Sequence, residues 1–515
     1  MYPGTHAAAH PDKPAMVMDQ SGESVSYAQL EDRSVRLANA LRDRGLRRGD
    51  VVALLAENHV RYFEVYWAAY RSGLYITPVN RHLSPDEVIY QVTDSGAKAF
   101  ISTRQLAATA TATLPHIPDC TVRLMMDGAA DGFDGYEAVL AAASGEQSGP
   151  MPRGDALLYS SGTTGWPKGI QRPLPDIDLG SPEARGTSVF EELVLGMGPD
   201  SVYLCPAPLY HSAGLQFSAG VHELGGTLVV MEKFDAQRWL ALIEREHVTH
   251  TQVVPTMLVR VLKLPEAVRR RYDLSSLQRV LHAAAPCPVE VKRQVIDWLG
   301  PIVDEYYAST EAAGLTFIGA AEWLDHPGSV GKPLLGILHV CDDEGNELPA
   351  GTPGLVYFER ETAPFEYHGD SEKTRASRHP RHPNWTAVGD VGYLDAEGYL
   401  FLTDRKSFMI ISGGVNIYPA EIESCLIMHD KVLDVAVFGL PDPEMGEFVQ
   451  AVVQLRPGEQ GSPQLADELR AFARSRLAGY KIPRAIDFRD ELPRLPTGKL
   501  AKHVLRDQYR TVPSP

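Results

Sequence analysis

"SSGTTGWPKGI", residues 160–170, is the most distinctive stretch of this 515-residue chain. It holds three glycines, four hydroxyl side chains and one lysine. This is the composition of a loop that wraps phosphate with backbone N–H groups. It is not a Walker loop, because only two residues separate Gly162 from Gly165 and because Lys168 is followed by Gly169. A metal ligand must therefore come from elsewhere in the chain.

Charge and cysteine usage exclude several classes of protein. The formal net charge of -17 argues against binding to nucleic acid and against electrostatic docking on anionic membranes. The five cysteines are scattered without C-x-x-C spacing, so neither a disulfide framework nor a zinc site is indicated. The N-terminus lacks the pattern of a signal peptide, and no apolar run is long enough to span a bilayer. We therefore expect a soluble cytoplasmic protein without a transmembrane segment, whose oligomeric state, a homodimer included, stays open.

Helices and strands alternate along the first part of the chain. An amphipathic run from Tyr27 precedes an apolar strand at 51–56, and a second strand is expected at 75–80. Ser84-Pro85-x-Glu87 has the form of a capping box that opens another helix, before a strand at 98–103. This alternation predicts an α/β fold with a mainly parallel sheet covered by helices.

The pattern changes after residue 405. Strands are expected at 432–440 and 448–457, a helix begins after the cap Ser462, and a short strand at 484–488 precedes a last helix from about Leu500. These elements form a small α+β domain. The predicted domains are therefore a large one at 1–404 and a small one at 405–515.

Further motifs accompany the loop, and together they resemble a known superfamily. The loop at Ser160–Gly169 is similar to the signature of the adenylate-forming enzymes, which include acyl- and aryl-CoA synthetases, nonribosomal adenylation domains and luciferases. The chain most resembles a fatty-acid or other acid-CoA ligase, and the resemblance covers nearly its whole length. The other matching motifs, in chain order, are "PLYHSAG" (208–214), "AAAP" (283–286), "YYASTE" (306–311), "VGD" (388–390), "DRKSFMIISGG" (404–414) and "LPTGK" (495–499).

The resemblance implies a ligase that works in two steps. A carboxylic acid reacts with ATP to give acyl-AMP and pyrophosphate, and the thiol of coenzyme A then displaces AMP to form a thioester. It implies ATP, Mg²⁺ and coenzyme A as cofactors, and a large N-terminal domain followed by a small mobile C-terminal domain. The acid stays open among fatty, aryl and polycyclic acids, because residues 171–198 depart from the usual continuation of the loop.

The resemblance also assigns roles to residues. Lys499 is the adenylation lysine, Thr310 contacts the α-phosphate, Glu311 holds Mg²⁺, and His211 lies between the acyl pocket and the thiol tunnel. Gly413 and Gly414 border the coenzyme A channel, and Ser407 is the hinge. The implied ATP- and AMP-binding residues are Ser160, Ser161, Gly162, Thr163, Thr164, Gly165, Lys168, Ala283, Ala284, Ala285, Pro286, Tyr307, Ala308, Ser309, Asp390 and Arg405.

Plainer interpretations stand beside these roles. The glycine pair also fits a simple turn, Asp390 and Arg405 fit a surface ion pair, and a lysine near a terminus is usually solvated. At the level of function, the alternatives are a stand-alone enzyme that loads a carrier protein, a non-catalytic adenylate-binding protein and an oxidative luciferase-like enzyme. The absence of an insertion around residues 390–410 favours coenzyme A as the acceptor.

Overall fold

The structure is a computed structural model that describes residues 1–160, 166–405, 408–494 and 500–510. The chain divides into two compact units. The first unit contains Met1–His282, Ile302–Asp304 and Pro364–Thr374. The second contains Ala283–Pro301, Glu305–Ala363 and the described residues from Arg375 onward. Neither unit ends at residue 404, and the domain boundary expected there stays a prediction.

Strands and helices alternate through the chain up to residue 282. The strands are β1 (Pro14–Met18), β2 (Ser24–Ser26), β3 (Val51–Leu55), β4 (Tyr75–Val79), β5 (Ala97–Thr103), β6 (Val122–Met126), β7 (Asp134–Gly135), β8 (Asp155–Ala156), β9 (Leu158–Ser160), β10 (Lys168–Gln171), β11 (Val202–Cys205), β12 (Thr227–Val230), β13 (His250–Val253) and β14 (Arg279–His282). The helices are α1 (Pro3–Ala9), α2 (Tyr27–Asp43), α3 (Tyr62–Arg71), α4 (Pro85–Asp94), α5 (Ala107–Thr113), α6 (Tyr136–Ala142), α7 (Ser188–Leu193), α8 (Ser212–Leu224), α9 (Ala236–Glu246), α10 (Pro255–Leu262) and α11 (Glu266–Arg269).

The remaining elements follow residue 282. The strands are β15 (Val303–Ala308), β16 (Leu315–Ile318), β17 (Lys332–Leu335), β18 (Ile337–Cys341), β19 (Gly354–Glu359), β20 (Glu366–Tyr367), β21 (Trp385–Thr386), β22 (Asp390–Leu394), β23 (Leu400–Arg405), β24 (Ile410–Ser412), β25 (Val415–Ile417), β26 (Val432–Asp442), β27 (Gly446–Leu455) and β28 (Ala485–Arg489). The helices are α12 (Val289–Leu299), α13 (Ala320–Asp325), α14 (Ser371–Ala376), α15 (Pro419–Leu426), α16 (Pro463–Arg474) and α17 (Lys502–Arg510).

Two largely parallel sheets form most of the first unit. One sheet has the strand order β7-β6-β5-β3-β4-β8, and every neighbouring pair in it is parallel. β3 is buried on both faces, as a strand covered by helices on each side must be. In a further sheet the first unit contributes β14, β13, β11, β12, β1 and β2 in that order, parallel except for the β1–β2 pair. The predicted α/β class is confirmed.

Local signals in the sequence position these elements. The Ser84 hydroxyl accepts from the backbone N–H of Glu87, and the Glu87 carboxylate accepts from the backbone N–H of Ser84. This reciprocal pair is the predicted capping box, and it starts α4 at Pro85. A capping box on Ser26 and Gln29 starts α2 in the same way.

In the second unit, the end of the chain forms an α+β layer. β25, β24, β27 and β26 are antiparallel neighbours, and β28 pairs parallel with β27. The Ser462 hydroxyl caps α16, which turns Leu465 and Leu469 into a core with the apolar side chains of β26 and β27. The strands and helices expected after residue 405 are all present.

Candidate active site

Residues 161–167 connect two antiparallel strands in the first unit. β9 and β10 pair so that Ser160 lies opposite Lys168, and β20 adds to the other side of β10. The two residues thus stand at the base of the loop, on facing ends of the hairpin. Ser161, Gly162, Thr163, Thr164 and Gly165, which were predicted to bind phosphate, lie outside the described residues.

Helix α4 holds both ends of this hairpin. The Tyr159 hydroxyl on β9 donates to Asp94 Oδ2 at 2.6 Å. The Tyr90 hydroxyl donates to the carbonyl of Pro167 at 3.0 Å, and the Tyr90 ring lies 4.8 Å from the ring of Trp166. The path of the chain into and out of the loop is therefore fixed from one helix.

Lys168 has an acidic partner that the sequence motifs do not indicate. Its Nζ lies 3.3 Å from Asp370 Oδ2, and this contact is the chief cause that raises the pKa of Lys168. Asp370 Oδ1 accepts from the backbone N–H of Lys373 at 2.9 Å. The Lys373 N–H lowers the pKa of Asp370. Partial burial acts to raise this pKa, and Lys168 acts to lower it further.

His211 occupies the N-cap of α8. Its Nδ1 accepts from the backbone N–H of Ala213 at 3.4 Å. The preceding loop is held by Asn58, whose amide nitrogen donates to the carbonyls of Ala207 and Met231 and whose oxygen accepts from the Leu209 N–H. Asn58 therefore positions the segment that carries His211, a role that only the folded contacts reveal.

In the second unit, Asp390 receives two hydrogen bonds from predicted site residues. Its Oδ2 accepts from the Tyr307 hydroxyl at 2.6 Å, and its Oδ1 accepts from Arg405 Nε at 3.1 Å. The Asp390 side chain is 12% exposed. Each oxygen keeps a second lone pair, so the group can still accept from the hydroxyls of a ribose.

The carboxylates of Asp390 and Glu311 act on the pKa values of the same two side chains, Tyr307 and Arg405. Burial, and then Asp390, raise the pKa of Tyr307 well above its usual value, and Glu311 adds a smaller rise. For Arg405, burial acts to lower the pKa, but Asp390, Glu311 and Tyr307 outweigh it and the pKa is raised. The structure thus brings together four of the residues that the motifs singled out.

The "STE" motif forms a tight turn beside these groups. The Ala312 N–H donates to the Ser309 carbonyl at 3.0 Å, and Ala312 has a φ of 54°. Glu311 is 8% exposed, Thr310 is half-buried and Ala308 is exposed. The Ser309 hydroxyl is buried and has no hydrogen-bond partner in the described part of the chain. A buried polar atom left without a partner is typical of a site that a ligand or water completes.

The "AAAP" motif contains a second strained alanine. Ala284 has a φ of 74°, in the left-handed region that favours glycine. Ala283 is buried, Ala285 is half-buried, and Ala284 and Pro286 are exposed. Non-glycine residues held in this region cost free energy and cluster at functional sites.

The glycine pair 413–414 forms the two-residue loop between β24 and β25. Both residues have positive φ, 57° and 79°, as the tight hairpin turn requires. The Gly413 N–H donates to the carbonyl of Met445 at 2.8 Å, and a Cβ at Gly413 would lie 2.4 Å from Met445 Cε. The plain turn interpretation explains the glycines, and their place in a coenzyme A channel stays a prediction.

Ser407 and Lys499 lie outside the described residues. Their neighbours in the chain are tied to α15. Lys502 Nζ pairs with Glu423 at 2.8 Å and lies 5.4 Å above the Phe408 ring, and Asp404 Oδ2 accepts from the Ala420 N–H at 3.1 Å.

Within the described ranges there is no group of three or more His, Cys, Asp or Glu side chains placed to hold a metal ion. No described helix is both long enough and apolar enough to cross a membrane.

Family profiles match most of the chain. The profile of AMP-binding enzymes matches residues 4–363, and that of the C-terminal domain of AMP-binding enzymes matches residues 421–499. With the loop, the Asp390 cluster and the two-part architecture, this match is decisive. The chain belongs to the AMP-binding enzyme family, whose members form adenylates.

The chain is similar over nearly its whole length to individual ligases and to a solved ligase structure. The feruloyl-CoA synthase of an Amycolatopsis species is 34% identical over 502 residues, which is 96% of each chain. The fatty acid–[acyl-carrier-protein] ligase ScoC of Streptomyces coeruleorubidus is 31% identical over 516 residues, 98% of this chain and 95% of the other. The crystal structure of the anthranilate CoA ligase AuaEII in complex with anthranoyl-AMP superposes with a TM-score of 0.85 at 26% identity, covering 98% of this chain and 96% of that one.

Proposed function

We propose that this protein is an ATP-dependent acid-CoA ligase that activates a carboxylic acid as acyl-AMP and then forms the acyl-CoA thioester. The observation that carries the proposal is the Asp390 carboxylate, held by Tyr307 and Arg405 beside Glu311. An acceptor-only group that keeps free lone pairs suits a ribose diol. A curated relative named as a CoA synthase aligns with nearly the whole chain.

In the first step, a carboxylate oxygen of the acid attacks the α-phosphorus of ATP. The bond between the α-phosphorus and the bridging oxygen breaks, and pyrophosphate leaves with the electron pair. Lys168 and the loop hold the β- and γ-phosphates, Thr310 contacts the α-phosphate, and Lys499 stabilises the charge that develops there. Catalysis of this kind depends mainly on positioning and on electrostatic stabilisation.

Glu311 is the proposed Mg²⁺ ligand. Mg²⁺ is usually bound by one or two carboxylates together with phosphate oxygens and waters, so a single carboxylate next to the nucleotide is sufficient. The buried Glu311 carboxylate and the unpartnered Ser309 hydroxyl fit such a setting. When bound, the ion neutralises phosphate charge.

In the second step, the thiol of coenzyme A attacks the acyl carbonyl. The thiol loses its proton, a carbon–sulfur bond forms, and AMP leaves with the oxygen that came from the acid. We place Gly413 and Gly414 at the thiol channel, His211 between this channel and the acid, and the pivot of a small domain at Ser407, after a large domain that ends at residue 404.

The acceptor has one alternative with specific support. The relative ScoC is named as a ligase that acts on an acyl-carrier protein. Parallel assays with free coenzyme A and with a phosphopantetheinylated carrier protein separate the two. A thioester on coenzyme A is the expected product, and acylation of the carrier alone would establish the alternative.

An assay over a panel of carboxylic acids identifies the acid that the enzyme activates. The names of the similar proteins mention feruloyl-CoA, a fatty acid and anthranilate. The panel therefore contains hydroxycinnamates, benzoates, fatty acids of graded length and polycyclic side-chain acids. Pyrophosphate release that depends on one acid, Mg²⁺ and ATP supports the proposal. No release with any acid would refute adenylation of this panel.

We also propose that the enzyme is cytoplasmic and that it forms a homodimer. All five cysteines are free thiols, which suits the reducing cytoplasm. Light scattering of the purified protein distinguishes a homodimer from a monomer.

A further inference from the structure

Asp370 is paired with the lysine that we propose to hold the departing phosphates. Its Oδ2 lies 3.3 Å from Lys168 Nζ, and the two side chains are 24% and 35% exposed. Lys168 is at the base of the loop and is the residue proposed to hold the departing phosphates. The ammonium group therefore already has an anionic partner before ATP arrives.

The two carboxylate oxygens of Asp370 make different contacts. Oδ1 accepts from the backbone N–H of Lys373 at the start of α14, while Oδ2 lies 3.3 Å from Lys168 Nζ. The first bond fixes the carboxylate on the protein. The second is the only one of the two that a phosphate group would have to replace.

The surrounding contacts keep Lys168 near this carboxylate. β10 begins at Lys168 and pairs with β9 on one side and with β20 on the other. Tyr367 at the end of β20 lies three residues before Asp370, and the His368 N–H donates to the Gly169 carbonyl at 2.8 Å. The backbone of Lys168 and the segment that carries Asp370 are thus joined by sheet hydrogen bonds, so only the lysine side chain needs to move.

We propose that Asp370 is a positioning residue that holds the Lys168 ammonium group in the nucleotide-free enzyme and takes it back when pyrophosphate leaves. This inference rests on the proposed function. The carboxylate competes with phosphate for one cation and repels the phosphate charge, so both effects weaken the binding of triphosphate and of pyrophosphate. The benefit is faster release of pyrophosphate after the first step.

The test is Asp370→Asn, which removes the charge and keeps an oxygen for the Lys373 N–H. We expect the KM for ATP and the inhibition constant of pyrophosphate both to fall about two- to fivefold, the range for an ion pair with this exposure. Calorimetry with α,β-methylene-ATP measures the same gain without turnover. Asp370→Glu, which keeps the charge, returns the constants toward those of the wild type.

Two further variants make the result specific. In a Lys168→Met background, Asp370→Asn removes only the charge repulsion and is expected to raise ATP and pyrophosphate affinity by less than it does in the wild type. Asp176→Asn removes an ion pair with Arg48 of the same 3.3 Å separation in the first unit and is expected to change neither constant.

A higher or unchanged KM in Asp370→Asn, or the same gain in the Lys168→Met background, would overturn the inference. Such a failure in an enzyme that still releases pyrophosphate leaves the proposed function intact. Failure of the wild-type protein to release pyrophosphate would instead refute the proposed function.

Discussion

Removal of the Tyr307 hydroxyl tests how Asp390 is held. In Tyr307→Phe the ring stays and only the 2.6 Å hydrogen bond to Asp390 is lost. A hydrogen bond to a charged group contributes about 1.5–3 kcal/mol. The Arg405 bond to the other oxygen remains, so the lower end of this range applies. Because 1.4 kcal/mol corresponds to a factor of ten, we expect the KM for ATP to rise about tenfold.

The assay compares ATP with 2′,3′-dideoxy-ATP in acid-dependent pyrophosphate release. The wild type is expected to favour ATP because Asp390 accepts from the ribose hydroxyls, and the variant is expected to lose most of this preference. Tyr393→Phe is the matched control. It removes a hydroxyl from the same strand as Asp390 that makes no hydrogen bond to the described residues. An unchanged preference in Tyr307→Phe would refute the positioning of the ribose acceptor Asp390 by Tyr307.

Four further predictions follow from the site and the core. Glu311→Ala is expected to abolish most Mg²⁺-dependent pyrophosphate exchange, and exchange at the wild-type rate would rule out Glu311 as the ligand. Lys499→Ala is expected to slow adenylation about 10²- to 10³-fold, the usual effect of removing one preorganised donor. The same variant is expected to convert presynthesised acyl-AMP and coenzyme A to the thioester at nearly the normal rate. Equal losses in both steps would assign Lys499 a structural role. Ala284→Gly relieves a left-handed alanine that costs about 1–2 kcal/mol, against about 0.4–1 kcal/mol for the freer unfolded chain. Urea denaturation should therefore show a gain of up to about 1.6 kcal/mol, and a loss would contradict the strain. Burial, with Glu223 nearby, raises the pKa of Glu191 well above its usual value, so the folded protein loses stability as pH rises from about 4.3 toward that raised pKa. The stability of Glu191→Gln relative to the wild type should therefore increase by up to about 1.4 kcal/mol per pH unit over this window. A stability difference that does not change with pH would contradict this prediction.

The local elements could be predicted from the sequence because their signals are local. The capping box at Ser84 and Glu87 needs only residues three apart, and the apolar run at 51–56 identifies a strand buried on both faces. The motif residues Asp390 and Arg405 were indicated by resemblance to a family, and the structure joins them by a hydrogen bond.

The contacts between distant segments could not be predicted in this way. Tyr307 and Asp390 are 83 residues apart, and no periodicity in the chain pairs them. Asp370 precedes a short helix and carries no motif that links it to Lys168, and Asn58 is 149 residues from the loop that it holds. The Lys168–Asp370 contact depends on the pairing of β10 with β20, while Tyr307 and Asp390 lie on strands of two different sheets, and a local pattern encodes neither arrangement.

The fate of the acid's carboxylate oxygen tests the central claim most directly. An acid from the panel that supports activity is labelled with ¹⁸O in its carboxylate and converted with ATP, Mg²⁺ and coenzyme A, and the products are analysed by mass spectrometry. Attack of the carboxylate on the α-phosphorus predicts one ¹⁸O atom in AMP for each thioester formed, with none in pyrophosphate. Thioester formation with unlabelled AMP, or with the label in inorganic phosphate beside ADP, would contradict an acyl-AMP intermediate.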